Sequence, residues 1–250
     1  MLEALIDELN TQALDEIVVT GDLTNLSLTS EFRLAREMLD RLRLGARHVT
    51  AIPGNHDVYT LDALLLRPFH AHLGPYATSD SGDETFPVVR VRGPIAVVGA
   101  SSARPSPVPF ASGSLGAPQR ARLEERLAEL GRRGLFRILL MHHPPVDNRS
   151  SLFRGLRDRG PLQALLRRTG CELILHGHEH RDLDATVRGP HGPIRVSGVG
   201  SGTYSHADLD RCARYHIYEI APAAQGSTTH VVGREVRAFE RESGRFVVRR

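Results

Sequence analysis

The amino-acid sequence predicts an α/β fold in which amphipathic helices pack against a sheet with parallel members. Through the first two-thirds of the chain, short runs rich in β-branched residues alternate with helical patterns, and the last third is mostly β-rich. The chain has 250 residues and no segment of linker composition. We therefore expect a single domain over residues 1–250.

The elements are predicted in chain order from local pattern. The opening MLEALIDELN places its apolar residues on one face of a helix, and further helices are expected near residues 30–44, 61–72 and 161–169. GAPQRARLEERLAELGRRG predicts a helix that ends at glycine, and FPVVRVRGPIAVVGASS predicts a hairpin that turns around residues 92–94. The remaining strands are expected in EIVVTGD, HVTAIPGNHD, LFRILLMHHPP, CELILHGHEHR, ATVRGPHGPIRVSGVGS, RYHIYEIA and THVVGREVRAFERESGRFVVRR.

The composition excludes several classes of protein. No run of about 18 apolar residues is present, so no membrane-spanning segment is predicted. The first residues lack the basic start and long apolar run of a signal peptide, which favours a cytoplasmic location. Cys171 and Cys212 are too few for a disulfide framework or a thiolate zinc site. The chain contains no lysine, which excludes Schiff-base and phosphate-loop lysine chemistry.

The basic character of the chain does not predict a nucleic-acid partner. The net charge is +3 and the pI about 9.2, but the arginines alternate with acidic residues along helices. This pattern is typical of solvated helix faces. Aromatic residues make up only 5% of the chain and tryptophan is absent, which argues against a stacking platform for single strands.

Side chains that bind metals follow four of the predicted strands. Taken singly, an Asp after a strand is usually a turn residue and a single His is usually a hydrogen-bonded core or surface residue. Carboxylate, amide oxygen and imidazole together suit Mn²⁺, Fe or Zn²⁺. The conjunction at four strand ends therefore predicts a metal site at one rim of the sheet, with candidates Asp22, Asn55, His56, Asp57, His142, His143, His176, His178 and His180.

The GHEH segment has its own geometric argument. His178 and His180 are two residues apart, so an extended backbone would project both rings to the same side. Gly177 allows a close backbone approach or an unusual dihedral angle.

The motifs GD, GNHD, HHPP and GHEH at residues 21–22, 54–57, 142–145 and 177–180 resemble those of the calcineurin-like metallophosphoesterase family. The resemblance implies a four-layer α/β/β/α sandwich with a two-metal centre at one edge. It also implies hydrolysis of phosphate esters by attack of a metal-bound hydroxide. Carried over by position, Asp22 would bridge both metals, His180 would bind one of them, and the other would be held by Asn55, His142 and His178.

The substrate-side residues are assigned from their chemistry. His56 is expected to be the catalytic acid at the leaving group, with the adjacent Asp57 carboxylate orienting its ring. His143 is expected to be a packing or substrate-binding residue, because related sequences place the ligand at the first histidine of this motif. The polar segment at residues 145–160 predicts either a phosphate clamp through Arg149 or Arg154 or simply solvated arginines.

The chain departs from the family pattern at its start. The D-x-H motif is missing, since no Asp is followed by His two positions later. We therefore expect a fold without its first strand, truncated at the N-terminus relative to the family. If the protein begins upstream of Met1, we expect two metal sites. If the chain begins at Met1, we expect one well-formed metal site.

Two functions follow from this resemblance. The favoured one is a metal-dependent phosphodiesterase acting on a small nucleotide or similar ester. The alternative is a non-catalytic scaffold or ligand-binding protein with an incomplete metal site. A nuclease would need a basic groove that the scattered arginines do not indicate. The natural ester, the metal and the oligomeric state stay open.

Overall fold

The structure, a computed structural model, describes residues 1–59, 62, 65, 67–105, 110–147, 151–205, 211–221 and 231–249. Its helices are α1 (Leu2–Leu9), α2 (Thr29–Asp40), α3 (Pro68–Leu73), α4 (Ala117–Arg132), α5 (Ser151–Arg154) and α6 (Arg159–Thr169). Its strands are β1 (Ile17–Val19), β2 (Val49–Ala51), β3 (Val88–Arg92), β4 (Ile95–Gly99), β5 (Phe136–Leu140), β6 (Leu173–His176), β7 (Leu183–Arg188), β8 (Pro193–Gly198), β9 (Arg214–Ala221), β10 (Val231–Glu240) and β11 (Arg245–Arg249).

The strands form two layers. One layer is a six-stranded mixed sheet in the order β3-β4-β5-β6-β8-β7, in which β4, β5, β6 and β8 are parallel and the two outer strands are antiparallel. The other layer contains the parallel pair β1-β2 and the antiparallel sheet β11-β10-β9. Among the described strands of this layer, β1 and β2 are the edges of the first sheet, and β9 and β11 are the edges of the second.

Two hydrophobic cores separate the layers. Alternation along β5 decides which core each residue joins, because successive side chains point to opposite faces. Ile138 and Leu140 face the second strand layer and share a core with Phe32 of α2, whereas Leu139 packs with Leu127 of α4 and helix α6. Helices α1, α2 and α3 cover one side and α4 and α6 the other, so the predicted four-layer sandwich is confirmed.

Most predicted elements are present, with shifted ends. The hairpin of β3 and β4 turns at Gly93 and Pro94, as expected. The helix predicted at residues 61–72 is described as α3 only from Pro68, and part of its range lies outside the described residues. The polar segment at residues 145–160, for which no helix was expected, contains the single turn α5 and the start of α6. Among the described helices, none has the length and apolar character that crossing a bilayer requires.

A buried arginine ties the second strand layer to β3. Arg90 is 3% exposed, and its guanidinium donates hydrogen bonds of 2.8–2.9 Å to the carbonyl oxygens of Ala46, Val49, Pro75 and Thr78. Ala46 and Pro75 lie in 3₁₀ turns, Val49 begins β2 and Thr78 lies in a loop, so one side chain joins carbonyl groups of several separate segments.

Replacing Arg90 with methionine should lower the free energy of unfolding by roughly 3–5 kcal/mol, because the freed carbonyls stay buried without donors. Urea unfolding measures this change. The exposed Arg167→Met is the matched control and should shift stability by less than about 0.5 kcal/mol. A loss below about 1 kcal/mol in Arg90→Met would show that water replaces the guanidinium.

Candidate metal centre

The two strand layers deliver four candidate ligands to one point. Asp22 and Asn55 follow the parallel strands β1 and β2 of one layer, whereas His142 and His178 follow the parallel strands β5 and β6 of the other. The carboxyl ends of parallel strands lie at the same edge of a sheet, which is where open α/β sheets bind ligands. The site is therefore a corner between two sheets.

The donor atoms lie close together. His142 Nε2 is 3.2 Å from Asp22 Oδ2 and 3.1 Å from Asn55 Oδ1. His178 Nδ1 is 3.1 Å from the same amide oxygen and 3.3 Å from His142 Nε2. Donors held at about 2.0–2.2 Å from one tetrahedral cation lie roughly 3.3–3.6 Å apart, so this spacing suits a metal ion with slight expansion.

The outer contacts of the two rings explain why a cation fits here. His142 Nδ1 lies 2.7 Å from the carbonyl oxygen of Thr20, and His178 Nε2 lies 2.8 Å from that of Arg154. A neutral ring therefore carries its proton on the outer nitrogen and turns a lone pair toward the cluster. The inner nitrogens of the two rings and the oxygens of Asp22 and Asn55 are then four lone-pair atoms close together. None of them carries a hydrogen that could form a hydrogen bond to its neighbours. A metal ion or an extra proton resolves this conflict.

The amide of Asn55 is essential to the set. Counting only His, Cys, Asp and Glu, the described residues contain no group of three that could hold a metal ion. The Asn55 side chain is 4% exposed, and its oxygen contacts both rings. The site therefore depends on the amide oxygen of Asn55 as well as on the carboxylate and the two imidazoles.

Two glycines allow the backbones of the GD and GNHD segments to cross. A Cβ atom built on Gly54 would collide with the backbone nitrogen and carboxylate of Asp22, and one built on Gly21 would collide with the Gly54 backbone and the His142 ring. Gly21 also has φ of 97°. Only glycine permits this close approach, which brings the Asp22 loop directly against the GNHD loop.

Three candidate ligands have backbone conformations that L-residues rarely adopt. Asp22, His178 and His180 have φ of 57°, 68° and 53°. The expected extended geometry of the GHEH segment is therefore wrong, and the two histidines are aimed by left-handed turns instead. Such strain costs about 1–3 kcal/mol per residue and concentrates at functional sites. Because backbone strain at three candidate ligands lowers stability, its presence here indicates a functional role for these residues.

The electrostatics pair one carboxylate with one imidazole. Burial favours a neutral Asp22, but the His142 ring and the His56 backbone N–H hold the pKa of this carboxyl well below its ordinary value. Burial opposes a charge on His142, yet the Asp22 carboxylate raises the pKa of that ring overall. Burial and the positive His142 lower the pKa of His178 to about 3. His178 is therefore neutral at pH 7, as a metal ligand must be.

His56 is oriented by the backbone and not by Asp57. Its Nδ1 lies 2.8 Å from the Asn25 carbonyl oxygen, and its ring stacks on Tyr59 at 5.7 Å between centroids. The expected carboxylate–imidazole pair is therefore wrong. Neighbouring residues of the 3₁₀ turn His56–Val58 project in different directions, so sequence adjacency did not bring the two groups together.

Asp57 instead holds the two motif loops together. Its carboxylate is fully buried and accepts hydrogen bonds from the backbone N–H groups of Leu23, Thr24 and Gly54 and from the Thr24 hydroxyl, at 2.8–3.2 Å. Burial raises the pKa of this carboxyl to about 6, with Asp22 adding to the effect. Asp57 is thus a positioning residue of the GD loop and does not face substrate.

Of the two roles expected for His143, the structure favours packing behind the candidate ligands and gives no support to substrate binding. The ring is fully buried, with Nδ1 2.8 Å from Ser102 Oγ and Nε2 3.0 Å from the Ala111 carbonyl oxygen. Its centroid lies 4.3 Å from that of His178 and 5.0 Å from that of His142. No ring nitrogen is left for a substrate, and the ring supports both ligand histidines from behind.

Ser102→Ala should weaken metal binding about 10-fold, because His143 loses the hydroxyl that fixes its ring against His178. Calorimetric titration with Mn²⁺ or Zn²⁺ measures this change, and the exposed Ser30→Ala is the control. An unchanged dissociation constant would show that packing alone holds the ligand histidines.

The remaining predicted residues lie at the rim or outside the described part. His180 is exposed, and its ring centroid is 6.4 Å from that of Tyr204. Partial burial lowers the pKa of His180, the Asp22 carboxylate opposes this, and the Arg154 cation adds to it. Arg154 is also exposed and places its charge near His178 and His180. Arg149 lies outside the described residues.

The backbone partners of the site could not be found from sequence motifs. Thr20, Asn25, Ala111 and Arg154 contribute carbonyl oxygens, and any residue type supplies those. Ser102 acts through its side chain but lies 41 positions from His143. The assembled corner can hold a divalent cation against two sheets and present an imidazole beside it.

Comparison with known proteins identifies the family. Residues 1–182 match the family model for the calcineurin-like phosphoesterases, which is more than half of the chain. The chain belongs to the calcineurin-like phosphoesterase family. It is 28% identical over 272 aligned residues to the cAMP/cGMP dual specificity phosphodiesterase MT0825 of Mycobacterium tuberculosis, covering 98% of this chain and 79% of that protein. A dimetal phosphatase from Danio rerio shares the fold, with TM-score 0.56, 15% identity, and coverage of 80% and 77% of the two chains.

Proposed function

We propose that this calcineurin-like phosphoesterase hydrolyses phosphodiesters of small nucleotides or similar esters with a divalent metal ion. The observation that carries the proposal is the convergence of four side chains. His142 Nε2 lies 3.1–3.3 Å from donor atoms of Asp22, Asn55 and His178, and His178 Nδ1 lies 3.1 Å from the Asn55 oxygen. Family membership makes phosphoester hydrolysis the general activity. The relative named as a cAMP/cGMP phosphodiesterase favours a cyclic or linear nucleotide as the ester.

Each residue has a role that its position supports. The four converging donors would hold a Mn, Fe or Zn ion, which supplies Lewis-acid stabilisation of the phosphoryl oxygens and an activated water. A second ion would be held between Asp22 and His180. The exposed side of His56 would protonate the leaving oxygen, and Arg154 would neutralise charge on the bound phosphate.

The second candidate function is a non-catalytic ligand-binding protein with one metal. One observation favours it. The resemblance assigns only Asp22 and His180 to the second ion, and the His180 ring is exposed beside Tyr204. Two ligands are few for a cation that takes four or more.

Metal content and turnover separate the two functions. The purified chain is loaded with Mn²⁺, its metal content is measured by mass spectrometry, and hydrolysis of bis-p-nitrophenyl phosphate and of cyclic nucleotides is followed. Bound metal with turnover supports the phosphodiesterase, and bound metal without turnover supports the binding protein. His178→Ala should lose the metal, whereas the exposed hairpin variant His191→Ala should keep it. Equal metal content in both variants would overturn the site.

A further inference from the structure

Among the described residues, three exposed aromatic side chains lie in segments that contact histidines of the candidate metal centre. Among the described residues, the large apolar side chains that are exposed include three aromatic ones, Phe110 at 36%, Phe153 at 54% and Tyr204 at 39%. Tyr204 lies against His180. Isolated exposed apolar residues need no explanation, but a group of aromatic rings at a polar site does.

Phe110 and Phe153 form an aromatic pair that the backbone holds in place. Their ring centroids are 5.4 Å apart with 42° between the planes. The backbone N–H of Ala111 donates to the carbonyl oxygen of Phe153 at 2.9 Å, and that of Gly113 donates to Gly155 at 3.2 Å. These bonds hold the two segments side by side, so the pair does not depend on contact between the rings alone.

The same segments are anchored to the ligand histidines. The carbonyl oxygen of Ala111, one residue after Phe110, lies 3.0 Å from His143 Nε2. The carbonyl oxygen of Arg154, one residue after Phe153, lies 2.8 Å from His178 Nε2. Each phenyl ring is therefore one residue away from a backbone carbonyl that contacts the histidine cluster. These contacts fix the aromatic pair at the rim of the candidate metal centre.

The surroundings define what such a pair would bind. A ligand bound at this rim meets two apolar rings and the cation of Arg154, which acts electrostatically on the His178 and His180 rings. It must therefore combine a flat apolar group with an anion. A nucleotide has both, since its base has a π-face that stacks on aromatic rings and its phosphate is anionic.

We propose that Phe110 and Phe153 form the stacking site for the heterocyclic base of a nucleotide ester whose phosphate binds at the metal centre. This inference rests on the proposed function and names the specificity element of the same site. It assigns preference for nucleotides over base-free phosphate esters to two phenyl rings that are not candidate metal ligands.

A binding experiment tests the stacking site without relying on turnover. Adenosine 5′-monophosphate and ribose 5-phosphate are titrated calorimetrically into the Mn²⁺-loaded chain and its variants. The unmodified chain should bind the nucleotide about 5- to 100-fold more tightly than the sugar phosphate. Phe110→Ala and Phe153→Ala should each remove most of this preference, Phe153→Tyr should keep it, and Val248→Ala, at an exposed residue of β11, should leave it unchanged.

The outcomes distinguish this inference from the proposed function. Equal affinity for the two ligands, no binding of either, or variants that weaken both equally would overturn the stacking site. Turnover of bis-p-nitrophenyl phosphate is measured on the same preparations. Turnover without nucleotide preference would support the proposed hydrolase and overturn the stacking site. Nucleotide preference without turnover would support the stacking site and overturn the proposed hydrolase.

Discussion

Asp22→Asn should release the bound metal and lower its affinity by more than about 100-fold, which is beyond the effect of removing a residue that only supports a ligand. The substitution keeps the shape of the side chain and removes its charge. Asp22 Oδ1 accepts the backbone N–H of His56 at 2.9 Å, and an amide oxygen can still accept that bond. The loss is therefore electrostatic, and the loop conformation should be preserved.

The measurement is metal content after dialysis, together with turnover of bis-p-nitrophenyl phosphate. Turnover should fall in parallel with metal content and recover only partly at high Mn²⁺. The exposed Asp7→Asn, in which the side chain is 71% exposed, is the matched control and should keep its metal. Full metal occupancy in Asp22→Asn would remove this residue from the candidate site.

His56→Ala should have the second largest effect, and its size should depend on the leaving group. A general acid contributes about 10²- to 10⁴-fold when the leaving oxygen is basic and much less when it is p-nitrophenolate. Hydrolysis of a cyclic nucleotide should therefore fall by that factor, while hydrolysis of bis-p-nitrophenyl phosphate changes little.

The comparison of the two esters carries the test. Both rates are measured on one preparation whose metal content matches that of the unmodified chain. A matching metal content is expected because Asp22 accepts its hydrogen bond from the backbone N–H of His56, which the substitution retains. His191→Ala serves again as the control. Equal losses on both esters would exclude proton donation and leave His56 with a binding role.

The sequence predicted most of the elements, because apolar periodicity and turn residues are local properties. The hairpin at Gly93 and Pro94 and the amphipathic helix α1 were recognisable in this way. The sequence predicted the family through four short motifs, which are also local. The single turn α5 was not predicted, since it is only four residues long and is held by backbone contacts to residues 111–113. Tertiary contacts of this kind leave no periodic signal.

The candidate site was predicted in its residue types and less well in its geometry. Asp22, Asn55, His142 and His178 do lie together. The role of Asp57 was wrong because adjacency along the chain does not determine which group a side chain faces. For His143, packing was one of the two expected roles, and the structure favours it. Asp57 is buried under the GD loop, and His143 is directed to Ser102 on the far side of the ligand histidines.

The sequence by itself determined which chemical groups are available and at which strand ends they occur, because a short apolar run followed by a Gly-rich polar motif is a local pattern. Only the tertiary structure decided that two separate sheets place those ends at one corner, and that backbone carbonyls turn the ring lone pairs inward. The physical reason is that ligand direction depends on φ angles and on partners more than 20 residues away. These are properties of the folded chain and not of its neighbouring letters.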